Sequence, residues 1–427
     1  MAARRHEPVR MTAAERTLLL SFASAVPLSV GESATVFDRA RANGLLKPLD
    51  GRLGTEWRTV ERFLATYPEP PARHLLVDGA GGSQFTLGIG ERIVPCSVIV
   101  TWHPAYSSMT LIVTTNAVGE QNDGWHADVD LTIAVLHCLQ GRPSAVDSSG
   151  EHGVRALYRG KVQTSGWHCV LAAFDELTRD CGISELPDRK AWCVEIRGYD
   201  GSPPGKAVGV DPRPFYGLAT SDEGWRFVPR QVAREALGEP WGTREFVSAY
   251  AMASGIICLN NKGAEYAEAQ RALAMRYFGA AEPYFDIDSA VAGLDHGMLL
   301  VLERVLIRMA LAIQWLHRAQ EESAGLLAGT RSVNDKHLLR GSLDILEMAN
   351  SALPAEVNLL EQRLAGRMGI DRIIQQLDRH AEAIDDETRY AYESSVNALV
   401  TRLTWVAVGL TVITIVLGVL QIVYGAG

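Results

Sequence analysis

The chain has 427 residues, 47% of them hydrophobic and 21% charged, a balance that supports two or three domains with real cores and excludes a disordered chain. Its formal net charge of -9, with no long basic run, lacks the electrostatic footprint of phosphate-backbone binding, so nucleic acid is not an expected partner. The 6 cysteines, Cys96, Cys138, Cys169, Cys181, Cys193 and Cys258, form no Cys-x-x-Cys pair, which argues against a zinc ribbon or disulfide framework and fits a reducing cytoplasm.

Arg4, Arg5 and Arg10 precede a short apolar stretch at 18–28, the layout of a signal peptide, but Glu15 and Arg16 stand directly before that stretch. Thr12 and Glu15 form a capping box, so 12–25 is expected to be a helix, followed by helices at 32–42 and 55–67 between the breakers Pro27, Gly44 and Gly51. Residues 1–71 therefore read as an N-terminal helical segment closed by Pro68, Pro70 and Pro71. From 72 to 260 the pattern is α+β. Short β-rich runs, including 93–102 and 108–117, predict an antiparallel sheet. A helix at 125–139, a strand near 154–161, a helix at 167–181 and strands at 191–199, 215–220 and 254–259 follow.

Strands interleaved with helices on one side suggest an α+β layer of two ferredoxin-like halves. An internal echo agrees: Gly124-Trp125-His126 and Gly166-Trp167-His168 each open a helix that ends near a cysteine, Cys138 or Cys181. Residues 261–402 then form an all-α stalk, with helices at 266–278, 289–322, 334–351 and from 355 onward, where Gly366 and Gly369 are the candidate interruptions. Ile370, Ile373, Ile374, Leu377, Ala381 and Ile384 give the stalk an apolar stripe that calls for another helix or subunit.

Residues 403–424 carry no charge, and 22 residues at ~1.5 Å each reach about 33 Å, enough to cross a ~30 Å hydrocarbon core as a single transmembrane helix. Arg389 and Arg402 precede this span and only Gly425, Ala426 and Gly427 follow, which predicts a tail-anchored protein of the cell membrane with its N-terminal part in the cytoplasm. Trp405 and Tyr424 would mark the two interfaces. Within the span Thr404, Ala407, Thr411, Thr414, Gly418 and Gln421 recur at steps of three and four along one stripe, opposite an apolar stripe. Small and hydroxyl-bearing residues let helices approach closely, so a homo-oligomer in membrane lipid is expected. A water-filled pore lined by Thr411, Thr414 and Gln421 is the sharper version; threonines that bond only their own preceding turn are the bland one.

A cytoplasmic α+β domain followed by long helices, the last continuing into the membrane, resembles the CorA family of magnesium transporters. Leu403-Thr404 opens the span and Tyr424-Gly425 closes it, as in that family's first membrane helix; Ala426 and Gly427 stand where its Met and Asn would be, and the chain as given does not reach its second membrane helix. The resemblance covers about the last hundred residues and implies a funnel-like oligomer with this helix at its axis. A large sensing domain on a single span is also similar, in layout alone, to membrane-acting effectors of bacterial conflict systems.

The sequence assigns no catalytic, cofactor-binding or metal-ligating residue, and any cofactor is unknown. Gly201 to Lys206 lacks the spacing and the following Ser or Thr of a phosphate loop, and Asp78 to Ser83 lacks the third glycine of a dinucleotide fingerprint. His126, His137, Cys138, His168 and Cys169 would make a zinc site only if the two Trp-His helices lay side by side, and structural burial is the expected role. Asp385, Asp386 and Glu387 read as a solvated acidic face, with divalent-cation binding between subunits as the alternative. Trp102, His103 and Pro104, and the stretch from Asp222 to Trp225, are candidate pocket anchors more simply read as core caps. The expected function is a membrane-anchored, non-enzymatic protein whose cytoplasmic domain senses or binds a ligand and signals through the stalk to an oligomeric span. A CorA-like ion channel and a tethered adaptor or enzyme are the alternatives.

Overall fold

The computed structural model of the chain describes residues 17–28, 30–48, 72–77, 85–103, 108–116, 125–142, 155–181, 183, 187, 189–197, 208–244, 247–260, 272, 275–276, 296–327 and 355–425. Two compact units emerge: Met1–Ile313 together with Met348–Asp371, and Gln314–Glu347 together with Arg372–Gly427. The helices expected at 55–67 and 334–351, and most of the one at 266–278, lie outside the described residues.

The first unit is built on one mixed sheet. Its elements run β1 (Thr17–Pro27), α1 (Val30–Ala42), β2 (Leu46–Pro48), β3 (Ala72–Leu76), β4 (Phe85–Ile89), β5 (Arg92–His103), β6 (Ser108–Asn116), α2 (Trp125–Gln140), β7 (Arg155–Tyr158), β8 (Lys161–Gln163), α3 (Gly166–Thr178) and β9 (Arg189–Arg197). They continue through α4 (Arg213–Thr220), α5 (Arg230–Leu237), β10 (Trp241–Arg244), β11 (Val247–Met252) and β12 (Gly255–Asn260). The strand order is β10-β11-β12-β9-β1-β6-β5-β4-β7-β8, with β3 on the other half of the β5 edge and β2 beyond it. Pairing is antiparallel except between β12 and β9.

Two expected elements change type. The helix expected at 12–25 is instead strand β1 over its described part, lying between β6 and β9 at the centre of the sheet, so this stretch of the N-terminal segment is not helical. Leu18, Leu20, Phe22 and Val26 alternate with Ser21, Ala23 and Ala25, and both sets are buried. A strand covered on both faces reads as a continuous apolar run, which resembles a short buried helix in sequence. The strand expected at 215–220 is helix α4, begun by Pro212 and Pro214. Proline fits a first helical turn, where its missing N–H has no partner to lose.

Register sorts the side chains into two faces. On one, Leu20, Phe22, Val113, Val100, Val194 and Ile257 join the apolar core with Phe37 of α1, Ile133 and Leu136 of α2 and Phe174 of α3. The other face mixes small and polar residues, Ser21, Ala23, Ala25, Thr101, Thr110, Ala191, Cys193 and Ala249, with Ile99, Ile112 and Ile256, all buried. Helix α6 (His296–Leu327) meets this face through Glu303, and α7 (Ala355–Met368) packs on β11 and β12. Helices therefore cover both faces, where the sequence pattern had suggested one side. Small residues on the second face allow helices to come close, and residues 298–312 of α6 are buried nearly all round, as an apolar helix inside a core must be.

In the second unit, helix α8 (Ile370–Gly425) runs unbroken for 56 residues, about 84 Å. Gly369, at φ +79, separates it from α7, so the second of the two candidate glycines makes the break.

Candidate functional site

The residues of α8 from Tyr392 to Leu420 form a helix of 29 residues, long and apolar enough to cross a membrane, and none of it is buried within the chain. Leu403, Trp405, Val406, Leu410 and Ile413 are all more than half exposed, Trp405 at 72%. Water is a poor solvent for a surface of this kind, and lipid a good one.

The threonine hydroxyls of this helix are satisfied internally. The Thr404, Thr411 and Thr414 hydroxyls each donate to the carbonyl one turn back, on Val400, Ala407 and Leu410, at 2.8 Å. That arrangement suits a hydrocarbon solvent, where an unmet hydroxyl would cost roughly 2–7 kcal/mol. Thr404, Ala407, Thr411 and Thr414 are exposed and Gly418 half-buried along one stripe, and a Cβ added at Gly418 would meet nothing within 4 Å. The side chain of Gln421 lies outside the described residues. Upstream, Arg389 pairs with Glu393 at 3.2 Å on the exposed helix surface. Asp386 is exposed; the side chains of Asp385 and Glu387 lie outside the described residues.

Inside the first unit the most unusual chemistry is a pair of buried ionic clusters on α6. Glu303, fully buried, ion-pairs with Arg73 of β3 and accepts a 2.7 Å hydrogen bond from the Thr110 hydroxyl of β6. The imidazole Nε2 of His103 stands 3.7 Å from the same carboxylate and 3.4 Å from Thr110 Oγ1. Burial pushes the carboxyl pKa of Glu303 up, but Arg73, His103 and Thr110 outweigh it and hold the pKa at about 2. On the adjoining side of α6, Arg304 and Arg308 reach Glu361 of α7 at 3.1 and 3.0 Å, with all three buried. Neither cluster was anticipated, because each joins residues far apart in sequence. The available signal was local: Glu303, Arg304 and Arg308 interrupt an otherwise apolar run from Met298 to Ala312.

The other residues singled out in the sequence are dispersed among structural roles. His137 contacts the Ser221 carbonyl at 2.6 Å and Glu223 at 3.1 Å, while His168 engages Thr164 and Ser165 at the start of α3. The side chain of His126 lies outside the described residues. Cys138 accepts from the Gly166 backbone N–H at 3.1 Å, so α2 and α3 do lie side by side, but their histidines face apart from the thiols. Burial pushes the Cys169 thiol up to about 12, and Cys138 adds to the shift; burial also raises Cys96. Thiols so shifted are poor nucleophiles and poor ligands. Among the described residues no group of three or more His, Cys, Asp or Glu is arranged to hold a metal ion.

Trp102 stacks on Phe37 with ring centroids 5.2 Å apart, and Pro104 lies outside the described residues. Trp225 is buried beneath Gly217, where a Cβ would come within 2.7 Å of it, and its indole N–H donates to Asp130 at 3.0 Å. Both tryptophans thus cap cores. The glycine-rich stretches 78–83 and 201–206 lie outside the described residues. No protein-family model, curated protein or solved structure matches the chain.

Proposed function

We propose that this chain is a single-pass membrane protein anchored by α8, whose sheet domain faces the cytoplasm and binds or senses a ligand, and whose span self-associates along the Thr404, Ala407, Thr411, Thr414, Gly418 and Gln421 stripe. The observation that carries the reading is the uncovered apolar segment Tyr392–Leu420 with its threonine hydroxyls already satisfied. The cytoplasmic placement is supported by Arg389 and Arg402 on one flank. Self-association is supported by a face of small residues, along which a second helix gains dispersion contact that lipid chains pack less well. An oligomer that acts on the membrane, as the expected effector does, is the form of this reading that gives the sensing domain an output.

A CorA-like conducting assembly is the second reading. It is favoured by the unbroken passage of one helix from Ile370, through the stalk, into the apolar segment. A single reconstitution experiment tests both. Full-length protein is compared in liposomes with a variant whose residues 403–420 are replaced by leucine. The proposal expects both proteins to resist alkaline extraction and only the native span to cross-link into oligomers. Ion leakage confined to the native span would support the second reading. Extraction of the native protein as a soluble monomer would overturn both.

A further inference from the structure

On the second face of the sheet, where α7 packs on β11, a pocket of about 440 Å³ opens between that helix and the α5–β10 turn. Leu237 and Ala251 line its apolar part, and Glu239, Gln362, Arg363 and Arg367 its polar part. The two arginines sit one helical turn apart, so both guanidinium groups serve the same wall. Arg363 Nη1 donates to the Pro240 carbonyl at 3.2 Å, which orients that group and leaves its other donors for the pocket. Arg367 lies against Gly238, held at φ +70, so closely that a Cβ there would stand 2.6 Å from Nη2. Glycine supplies that left-handed backbone without strain. Neither arginine is ion-paired with a carboxylate among the described residues.

We infer that this pocket binds a small phosphate-bearing molecule of about nucleotide size. Two guanidinium forks that are ion-paired to no carboxylate among the described residues match the tetrahedral oxygens of a phosphate, and, set against Glu239 alone, they leave the lining with one net positive charge in a chain of net charge -9. A cavity of this volume exceeds what phosphate fills and falls in the range of small-molecule sites. The apolar part takes the body of the ligand, while Glu239 and Gln362 offer acceptors to its hydroxyl or amino groups. The inference deepens the ligand-sensing part of the proposed function and rests on that reading for its meaning, but the binding itself does not depend on whether α8 spans a membrane.

The phosphate could belong to a free metabolite or to a lipid headgroup, and titration calorimetry separates them. Full-length protein in nonionic detergent is titrated with inorganic phosphate, with AMP and with short-chain phosphatidic acid. The expected result is saturable binding, with AMP above inorganic phosphate, weakened about tenfold or more in Arg363→Gln/Arg367→Gln at unchanged Tm. Binding of phosphatidic acid alone, lost in the same variant, would assign the phosphate to lipid. If the glutamine pair does not fold, Arg363→Lys/Arg367→Lys keeps the charge, loses the fork and must still weaken binding. Absence of saturation by all three probes, or equal binding by the variants, overturns the inference and leaves the arginines as partners of the α7 C-terminus. Because the titration is run in detergent, its failure is distinct from failure of membrane anchoring.

Discussion

Replacing Glu303 by glutamine tests the electrostatics of the buried cluster, because the amide keeps the volume while removing the charge and one of the two acceptor oxygens that face Arg73 and Thr110. The folded-state carboxyl is held at about 2 against an ordinary 4.5. At ~1.4 kcal/mol per pH unit that difference corresponds to about 3 kcal/mol, in line with the ~3–5 kcal/mol expected when a buried charge loses its partner. A depressed carboxyl contributes stability that is fully present above the unfolded-state pKa and disappears as pH falls through the folded-state value. Glu303→Gln should therefore cost about 3 kcal/mol at pH 7, or about 4 °C in Tm for a unit that spans Met1–Ile313 and Met348–Asp371. The gap to wild type should close as pH falls from 4.5 toward 2. Urea unfolding of both proteins in nonionic detergent, followed by tryptophan fluorescence across that range, measures it. A gap below about 1 kcal/mol at pH 7, or one that stays constant with pH, would refute the assignment of an ionised Glu303 facing Arg73.

Two further substitutions probe the same unit. Glu361→Ala takes the carboxylate from two buried guanidinium groups and should cost about 3–5 kcal/mol in the urea midpoint, whereas Arg304→Met/Arg308→Met/Glu361→Leu, which removes the whole cluster, should cost much less. Gly255 sits at φ +146 with the Trp192 carbonyl oxygen inside contact distance of any added Cβ, so Gly255→Ala should break the parallel β12–β9 pairing and cost more than about 3 kcal/mol. Limited proteolysis should then cut first within residues 241–260, and protection equal to wild type would count against the close approach.

Where sequence and structure part company, the reason is physical in each case. The strands at 92–103 and 108–116 were legible because β-branched residues and turn signals bounded them, and helix α2 because its apolar spacing was long and regular. Strand β1 was not, since a run buried on both faces carries no alternation of polarity to separate it from a helix, and leucine and alanine favour the wrong answer. Helix α4 was misread because aromatic and β-like residues outweighed the prolines that start it. The buried ionic clusters depend on Arg73 meeting Glu303, and on Arg304 and Arg308 meeting Glu361, across more than fifty residues of chain at the least, and no local pattern encodes such a meeting.

The sequence alone marked the uncharged stretch at 403–424, and the structure has a helix long and apolar enough to cross a membrane at Tyr392–Leu420, because length and side-chain chemistry are both local properties. Which strand lies at the centre of the sheet, which faces its helices cover, and which charges are taken out of water together were decided only by tertiary packing. Those outcomes follow from contacts between distant segments, whose energies exist only once the chain has brought them into register.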